Sequence, residues 1–186
     1  MPNVPIIIAL VGKRRVGKDV VAKYLETLHG FTHVKVAQKL KETIKVMFDL
    51  HDENVEGSIK DDIDDRYGVS PRQIMQFVGT EIGQFKLQEL LPNIGRTFWI
   101  KSLCNHIKNN KNKNFVISDV RFIHEVNELC KNFSNVLILK IERDTGFTDT
   151  HISEQECDNI IANHTVTNNS DINALYLQIE TILNSS

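Results

Sequence analysis

The stretch that most limits what this chain can become is IIIALVGKRRVGKD, residues 6–19. Ile6 to Val11 is an unbroken apolar run, the pattern of a strand buried on both faces of a parallel sheet. Gly12 ends it, and the spacing G-x-x-x-x-G-K follows, through Gly17 to Lys18. Beyond it Val21, Leu25 and Leu28 recur at i, i+4 and i+7 with Tyr24 beside them, and Gly30 supplies a stop. The segment therefore reads as strand, loop and amphipathic helix. In that setting the glycine-lysine pattern marks a phosphate-binding loop, in which backbone N–H groups at a helix N-terminus curl around phosphate oxygens and the lysine adds a point charge. The binding segment comprises Gly12, Lys13, Arg14, Arg15, Val16, Gly17, Lys18, Asp19 and Val20. Asp19 stands where the pattern normally has Ser or Thr, whose hydroxyl ligates Mg2+ without adding charge. A carboxylate beside phosphates is repelled unless a cation lies between them, so Asp19 is expected to hold Mg2+, directly or through water.

Strand-like runs recur at Thr32–Val36, Phe115–Ser118, Val136–Ile141 and His164–Thr167, alternating with segments of helical spacing. This order implies an α/β chain with a parallel five-stranded sheet and helices on both faces. Asp119 falls at the carboxyl end of the third strand, where ligands gather in such sheets, and is read as a second Mg2+ position; capping the next helix is the alternative. Asp49 to Gly68 is acidic and weakly patterned and reads as an exposed excursion. With 186 residues, 41% of them hydrophobic, the chain suits one domain with one sizeable core. A formal net charge of -2 argues against a nucleic-acid partner or an anionic membrane surface. Three widely spaced cysteines argue against a disulfide framework, and Ile6–Val11 is too short to cross a bilayer. A soluble, unprocessed, cytoplasmic protein is expected.

Ser70-Pro71-Arg72-Gln73 is a helix start: Ser caps, Pro suits the first turn, and Gln completes a capping box. The helix is expected to run to about Leu91. Arg72, Gln76, Gly79, Thr80 and Gly83 fall within an arc of roughly 100° on it. Glycines inside a helix cost about 1 kcal/mol each, so a ligand or another backbone is expected to approach them; helix packing is the alternative. Arg72 would grip an acceptor phosphate, with Gln76 and Thr80 on a base or sugar.

Taken together, the loop from Gly12 to Asp19, Ser70–Gln73 leading to Gly79-Thr80-Glu81, Ser118-Asp119-Val120-Arg121-Phe122 with Glu125, and His151-Ile152-Ser153-Glu154 resemble the deoxynucleoside monophosphate kinases of T4-type phages and large DNA viruses. The resemblance runs over roughly residues 6 to 184. It implies a P-loop nucleoside monophosphate kinase fold, with residues 1–186 as one domain carrying an acceptor-binding helical insertion at about 38–110 and a lid at about 143–157. It implies ATP and Mg2+ on the donor side, a deoxynucleoside 5′-monophosphate as acceptor, and a homodimer. Catalytic roles are implied for Lys18, Arg143, Asp119 and Arg121, and substrate contacts for Lys41, Arg72, Gln76, Thr80, Arg121, Glu125 and His151. Two departures stand out: the chain reads Gln38-Lys39-Leu40-Lys41 where relatives have an Asp-Pro-Leu-Lys-like stretch, and the lid is poor in arginine. Animal-type phosphomevalonate kinase, whose loop also ends Gly-Lys-Asp, and a non-catalytic nucleotide-binding protein are the alternative readings. A GTP-dependent switch is disfavoured, because no Asn-Lys-x-Asp tetrad follows Asn112-Lys113.

Overall fold

The computed structural model describes residues 4–144, 146 and 156–185. It divides into two compact units, 1–35 with 104–186, and 36–103. The first unit holds a five-stranded parallel sheet in the order β2-β3-β1-β4-β5. Its strands are β1 (Ile7–Val11), β2 (Thr32–Val34), β3 (Phe115–Val120), β4 (Val136–Glu142) and β5 (His164–Thr167). β1 is central and buried along its whole length, which is why its sequence is apolar without alternation.

Helix α1 (Lys18–His29) sets Val21, Ala22 and Leu25 against Ile8, Leu10, Leu139, Ile141 and Val166. The closing helix, α8 (Ile172–Ser185), adds Leu175 and Ile179 to the same cluster. Ile7, Ala9 and Val11 point to the opposite face and are equally buried. α7 (Ile123–Asn132) lies between β3 and β4 in the chain.

The second unit is helical: α2 (Gln38–Met47), α3 (Asp52–Val55), a 3-10 turn (Ser58–Asp61), α4 (Pro71–Gln76), a π-helix (Phe77–Lys86), α5 (Leu87–Leu90) and the start of α6 (Phe98–Lys108). Residues 49–68 are thus more than the expected exposed excursion. Leu50 and Val55 are buried with Leu40, Ile44, Ile74 and Val78, and two apolar anchors in an acidic stretch leave no periodicity to read. Ser70 caps α4 as expected: its hydroxyl accepts from the Gln73 N–H, and the Gln73 side chain accepts from the Ser70 N–H at 2.9 Å.

From residue 71 to 90 the chain is continuously helical, but the middle is widened to π. The two glycines answer to packing within this unit. A Cβ on Gly79 would lie 2.6 Å from Leu40 Cδ2, and one on Gly83 would lie 2.2 Å from Trp99 Nε1. The Trp99 indole donates to the Gly79 carbonyl at 2.9 Å. The close approach expected of a ligand or backbone is made by these side chains.

Candidate active site

The phosphate loop is shaped by what presses on its glycines. Gly12 has φ 138°, and a Cβ there would lie 2.3 Å from the Ile141 carbonyl oxygen. Gly17 has φ 107°, and its Cβ would lie 2.4 Å from Asn168 Nδ2. Both positions need glycine for conformation and for space. Asn168 itself is a fastener, donating its amide to Val16 O at 2.8 Å and its backbone N–H to Glu142 O at 2.7 Å. Lys18 opens α1 and is 7% exposed, its ammonium donating to the Gly12 and Lys13 carbonyls, each at 2.6 Å. A buried cation needs such compensation, and the carbonyls fix its place under the loop.

Asp19 follows in the first turn of α1, where the helix dipole favours negative charge. Ser118 Oγ donates to Asp19 Oδ1 at 3.2 Å, and Lys35 Nζ lies 3.3 Å from the same oxygen. Burial works to raise the Asp19 carboxyl, but Lys35, Ser118 and the more distant His33 overcome it and hold the group below its ordinary value. His33 Nε2 lies 2.7 Å from Ser118 Oγ. Burial, then Lys35, pushes the His33 imidazole below its ordinary value, against the opposing pull of Asp19, Glu26 and Asp119. Since the Ser118 hydrogen goes to Asp19, His33 donates its Nε2–H to Ser118, and the chain of hydrogen bonds runs one way toward the carboxylate.

The β1–β3 register explains how Ser118 and Asp119 enter this cluster. Ala9 pairs with Ile117 but Val11 with Val120, so β3 carries one extra residue at that point. A bulge re-aims side chains at the carboxyl end of a strand. Mg2+ binds through one or two carboxylates and keeps waters and substrate phosphates as its other ligands. Asp19, ionised and beside the loop, with Asp119 acting on the same histidine, fits that donor set.

One carboxylate oxygen of Glu125, Oε2, is spent on the backbone. Its carboxylate accepts from the Arg121 N–H at 2.8 Å and the Phe122 N–H at 3.1 Å, closing the first turn of α7. It is 5% exposed, and burial, with Asp119 adding, pushes its carboxyl up to about 7 against the two N–H groups and the Arg121 charge. Glu125 therefore positions Arg121, and its side chain is turned to the main chain. Arg143 is exposed and lines a cavity of about 320 Å³ with Lys13, Val16, Asp158, Thr167 and Asn169. Lys13 reaches Asp158 at 2.9 Å there. His151 and most of the expected lid lie outside the described residues.

In the second unit, Arg72 holds Asp61 with two donors, Nε to Oδ1 and Nη2 to Oδ2. Lys41 reaches Glu56 at 2.6 Å. Gln76 is half-buried, and Thr80 is 6% exposed. His33, Lys35 and Asn168 were not singled out in the sequence, and Ser118 entered only as a member of a motif, with no role of its own. An Asn directly after an apolar-alternating strand, and a Ser beside the strand-end Asp, were the only local signals for them.

A G-x-x-x-x-G-K loop that opens onto a helix at the end of the central strand of such a sheet defines a P-loop nucleotide-binding fold. Two solved structures share the fold: a shikimate kinase from Aquifex aeolicus (TM-score 0.54, 14% identity, 97% of each chain) and TT1252 from Thermus thermophilus (TM-score 0.52, 14% identity, 98% of each chain). At that identity they speak for the fold alone. A family model described as deoxynucleotide monophosphate kinase matches residues 55–179. A protein of Acanthamoeba polyphaga mimivirus, provisionally named deoxynucleotide monophosphate kinase, is 34% identical over 186 residues, or 94% of each chain. The chain belongs to the deoxynucleotide monophosphate kinase family. It is a kinase that uses ATP and phosphorylates deoxynucleotide monophosphates, which sets the phosphomevalonate kinase reading aside. Among the described residues, no helix is long and apolar enough to cross a membrane.

Proposed function

We propose that this chain moves the γ-phosphoryl of ATP to the 5′-phosphate of a deoxynucleoside monophosphate, with Mg2+ held by Asp19 and Asp119, and so supplies deoxynucleoside diphosphates for DNA synthesis. The observation that carries the reading is the buried Lys18 ammonium fixed beneath the loop, with an ionised Asp19 one residue on. The acceptor phosphate, with a second pKa of about 6, is largely dianionic at neutral pH, so no strong base is needed. Repulsion between anions and their alignment form the barrier. Mg2+, when bound, supplies neutralisation of charge on the donor phosphates.

The chain's own groups do the rest. Loop N–H groups and Lys18 seat the donor phosphates, and Asn168 keeps the loop in shape. Ser118 and His33 orient the Asp19 carboxylate. Arg143 meets the transferring phosphoryl, and Arg72 takes the acceptor phosphate, with Arg121 and Lys41 adding positive charge on the acceptor side. Gln76 and Thr80 face the sugar or base, Glu125 fixes Arg121, and His151 is a hydrogen-bonding residue of the lid. The proposal includes a cytoplasmic homodimer, for which the exposed Phe77, Leu90 and Leu91 offer apolar surface. Sedimentation of the purified protein would read the dimer directly.

The reaction is tested by measuring ADP formed from ATP and Mg2+ with each deoxynucleoside monophosphate, the matching ribonucleotides and phosphomevalonate. Turnover with deoxynucleotides that disappears in Lys18→Ala is expected. ATP binding without turnover of any acceptor would overturn the proposal.

A further inference from the structure

The carboxylates of the acidic stretch 49–68 are set against cations of their own unit. Asp52 meets Lys45 at 2.6 Å, Glu56 meets Lys41 at 2.6 Å, and Asp64 takes the Arg66 guanidinium with both oxygens. Asp61 takes Arg72 in the same two-pronged way, Nε to Oδ1 and Nη2 to Oδ2. Ion pairs at an exposed surface add little to stability, so folding alone is a weak reason for this arrangement. Two of the partners, Lys41 and Arg72, are the cations proposed for the acceptor side.

The main chain fixes where Asp61 and Arg72 stand. Asp61 ends the 3-10 turn that begins at Ser58, and Glu53 ties that beginning down: its Oε1 accepts from the Ser58 N–H at 3.0 Å and from the Ser58 hydroxyl at 3.1 Å. Past the turn, the Asp64 N–H donates to the Val69 carbonyl at 3.1 Å and leads the chain into Ser70. Arg72 stands in the first turn of α4, which Pro71 and the Ser70 capping box hold. With both attachment points set, the paired contact decides how the guanidinium is turned.

A guanidinium projects five N–H groups in a rigid fork. Asp61 occupies its Nε and Nη2 side. Nη1 and the second Nη2 hydrogen have no partner among the described residues, and the Arg72 side chain is 26% exposed. That outer edge presents two parallel donors, the geometry that matches two oxygens of a phosphate. The carboxylate thus holds one edge and leaves the other for an anion.

We infer that Asp61 is the positioning residue of the acceptor site, holding Arg72 so that the outer edge of its guanidinium meets the acceptor phosphate. The inference rests on the acceptor site proposed for Arg72, and it gives the acidic stretch a part in binding an anion. A long side chain loses conformational freedom when it grips a ligand, and one already held loses less, so affinity rises without a new contact. Asp61 itself does not touch the nucleotide. Its effect belongs to KM for the deoxynucleotide and not to KM for ATP.

The test is steady-state kinetics, with ATP and a deoxynucleoside monophosphate varied in turn, in the wild type, Asp61→Ala, Asp61→Asn, Arg72→Ala and the double variant Asp61→Ala with Arg72→Ala. Asp61→Ala is expected to raise KM for the deoxynucleotide about three- to tenfold while KM for ATP holds. Asp61→Asn keeps one acceptor oxygen for the guanidinium and should raise it less. Once Arg72 has been removed, taking away Asp61 should raise it no further. An unchanged KM in both Asp61 variants overturns the inference, and so does a lowered one, which would make Asp61 a competitor of the phosphate. An equal rise in the Arg72→Ala background overturns it as well, because Asp61 would then act without Arg72. If Arg72→Ala leaves KM for the deoxynucleotide unchanged, or if no deoxynucleotide is turned over, the acceptor-site proposal falls and the inference falls with it.

Discussion

Around Lys18 an anion site is built from main chain, whereas the acceptor site proposed along Arg72 to Thr80 would be built from side chains, and the two would tolerate change differently. In the loop, Gly12 and Gly17 have φ 138° and 107° and are pressed by Ile141 and Asn168, so the shape is over-determined by neighbours. On the helical stretch the backbone supplies only a platform, widened to π, and the proposed acceptor contacts, Arg72 and Thr80, are side chains. The glycines there, Gly79 and Gly83, serve packing against Leu40 and Trp99. A main-chain site suits a phosphate group shared by every nucleotide, whereas a side-chain site can be altered one residue at a time to suit one acceptor.

The strongest attempt to break this contrast is Lys18→Ala. Losing one preorganised charge at a transferring phosphoryl should lower kcat about 10²–10³-fold, read in a steady-state assay, with the fold unchanged by circular dichroism. Next is Asp19→Asn, for which a loss of about 10–100-fold and a raised Mg2+ requirement are expected in a magnesium titration. A rate that is unaffected across the titration would remove Asp19 from the metal site. Gly83→Ala tests the claim that packing, and no ligand, requires that glycine. The added methyl meets the Trp99 ring, so urea unfolding should show about 1–3 kcal/mol of destabilisation while KM for ATP holds.

The smallest effect concerns Glu125. Its folded value of about 7 lies above the ordinary 4.5, so the folded state binds more protons than the unfolded state between those pH values. Stability on this account is fullest below about 4.5 and is lost as pH rises through about 7, with Asp119 and Arg121 the charged groups facing it. Glu125→Gln keeps an acceptor for the Arg121 and Phe122 N–H groups and should flatten that part of the pH–stability profile. An unchanged profile would assign the slope to other groups.

The contrast also explains what the sequence revealed. β1, the loop and α1 were readable because glycine spacing, apolar run and helical period are adjacent in the chain. β5 was also placed, with its limits at His164 and Thr167, between a polar stretch and the helical period of the closing helix. The fasteners were hidden because they come from far away: Ser118 reaches Asp19 across 99 residues, and Asn168 reaches Val16 across 152. Gly79 and Gly83 were misjudged because Leu40 and Trp99, which fill the space beside them, carry no local mark. The π widening of Phe77–Lys86 left no trace in the hydrophobic pattern. Glu125 was read as a substrate contact because the motif shows a carboxylate and not that its Oε2 holds the Arg121 and Phe122 N–H groups.

The most direct test of the division of labour between the two sites is the steady-state kinetics of Arg72→Ala, with ATP and a deoxynucleoside monophosphate varied in turn. The account predicts that KM for the deoxynucleotide rises about 10–100-fold, as expected on losing charged hydrogen bonds to a phosphate, while KM for ATP holds. An unchanged KM for the deoxynucleotide, or an equal rise for ATP, would contradict it.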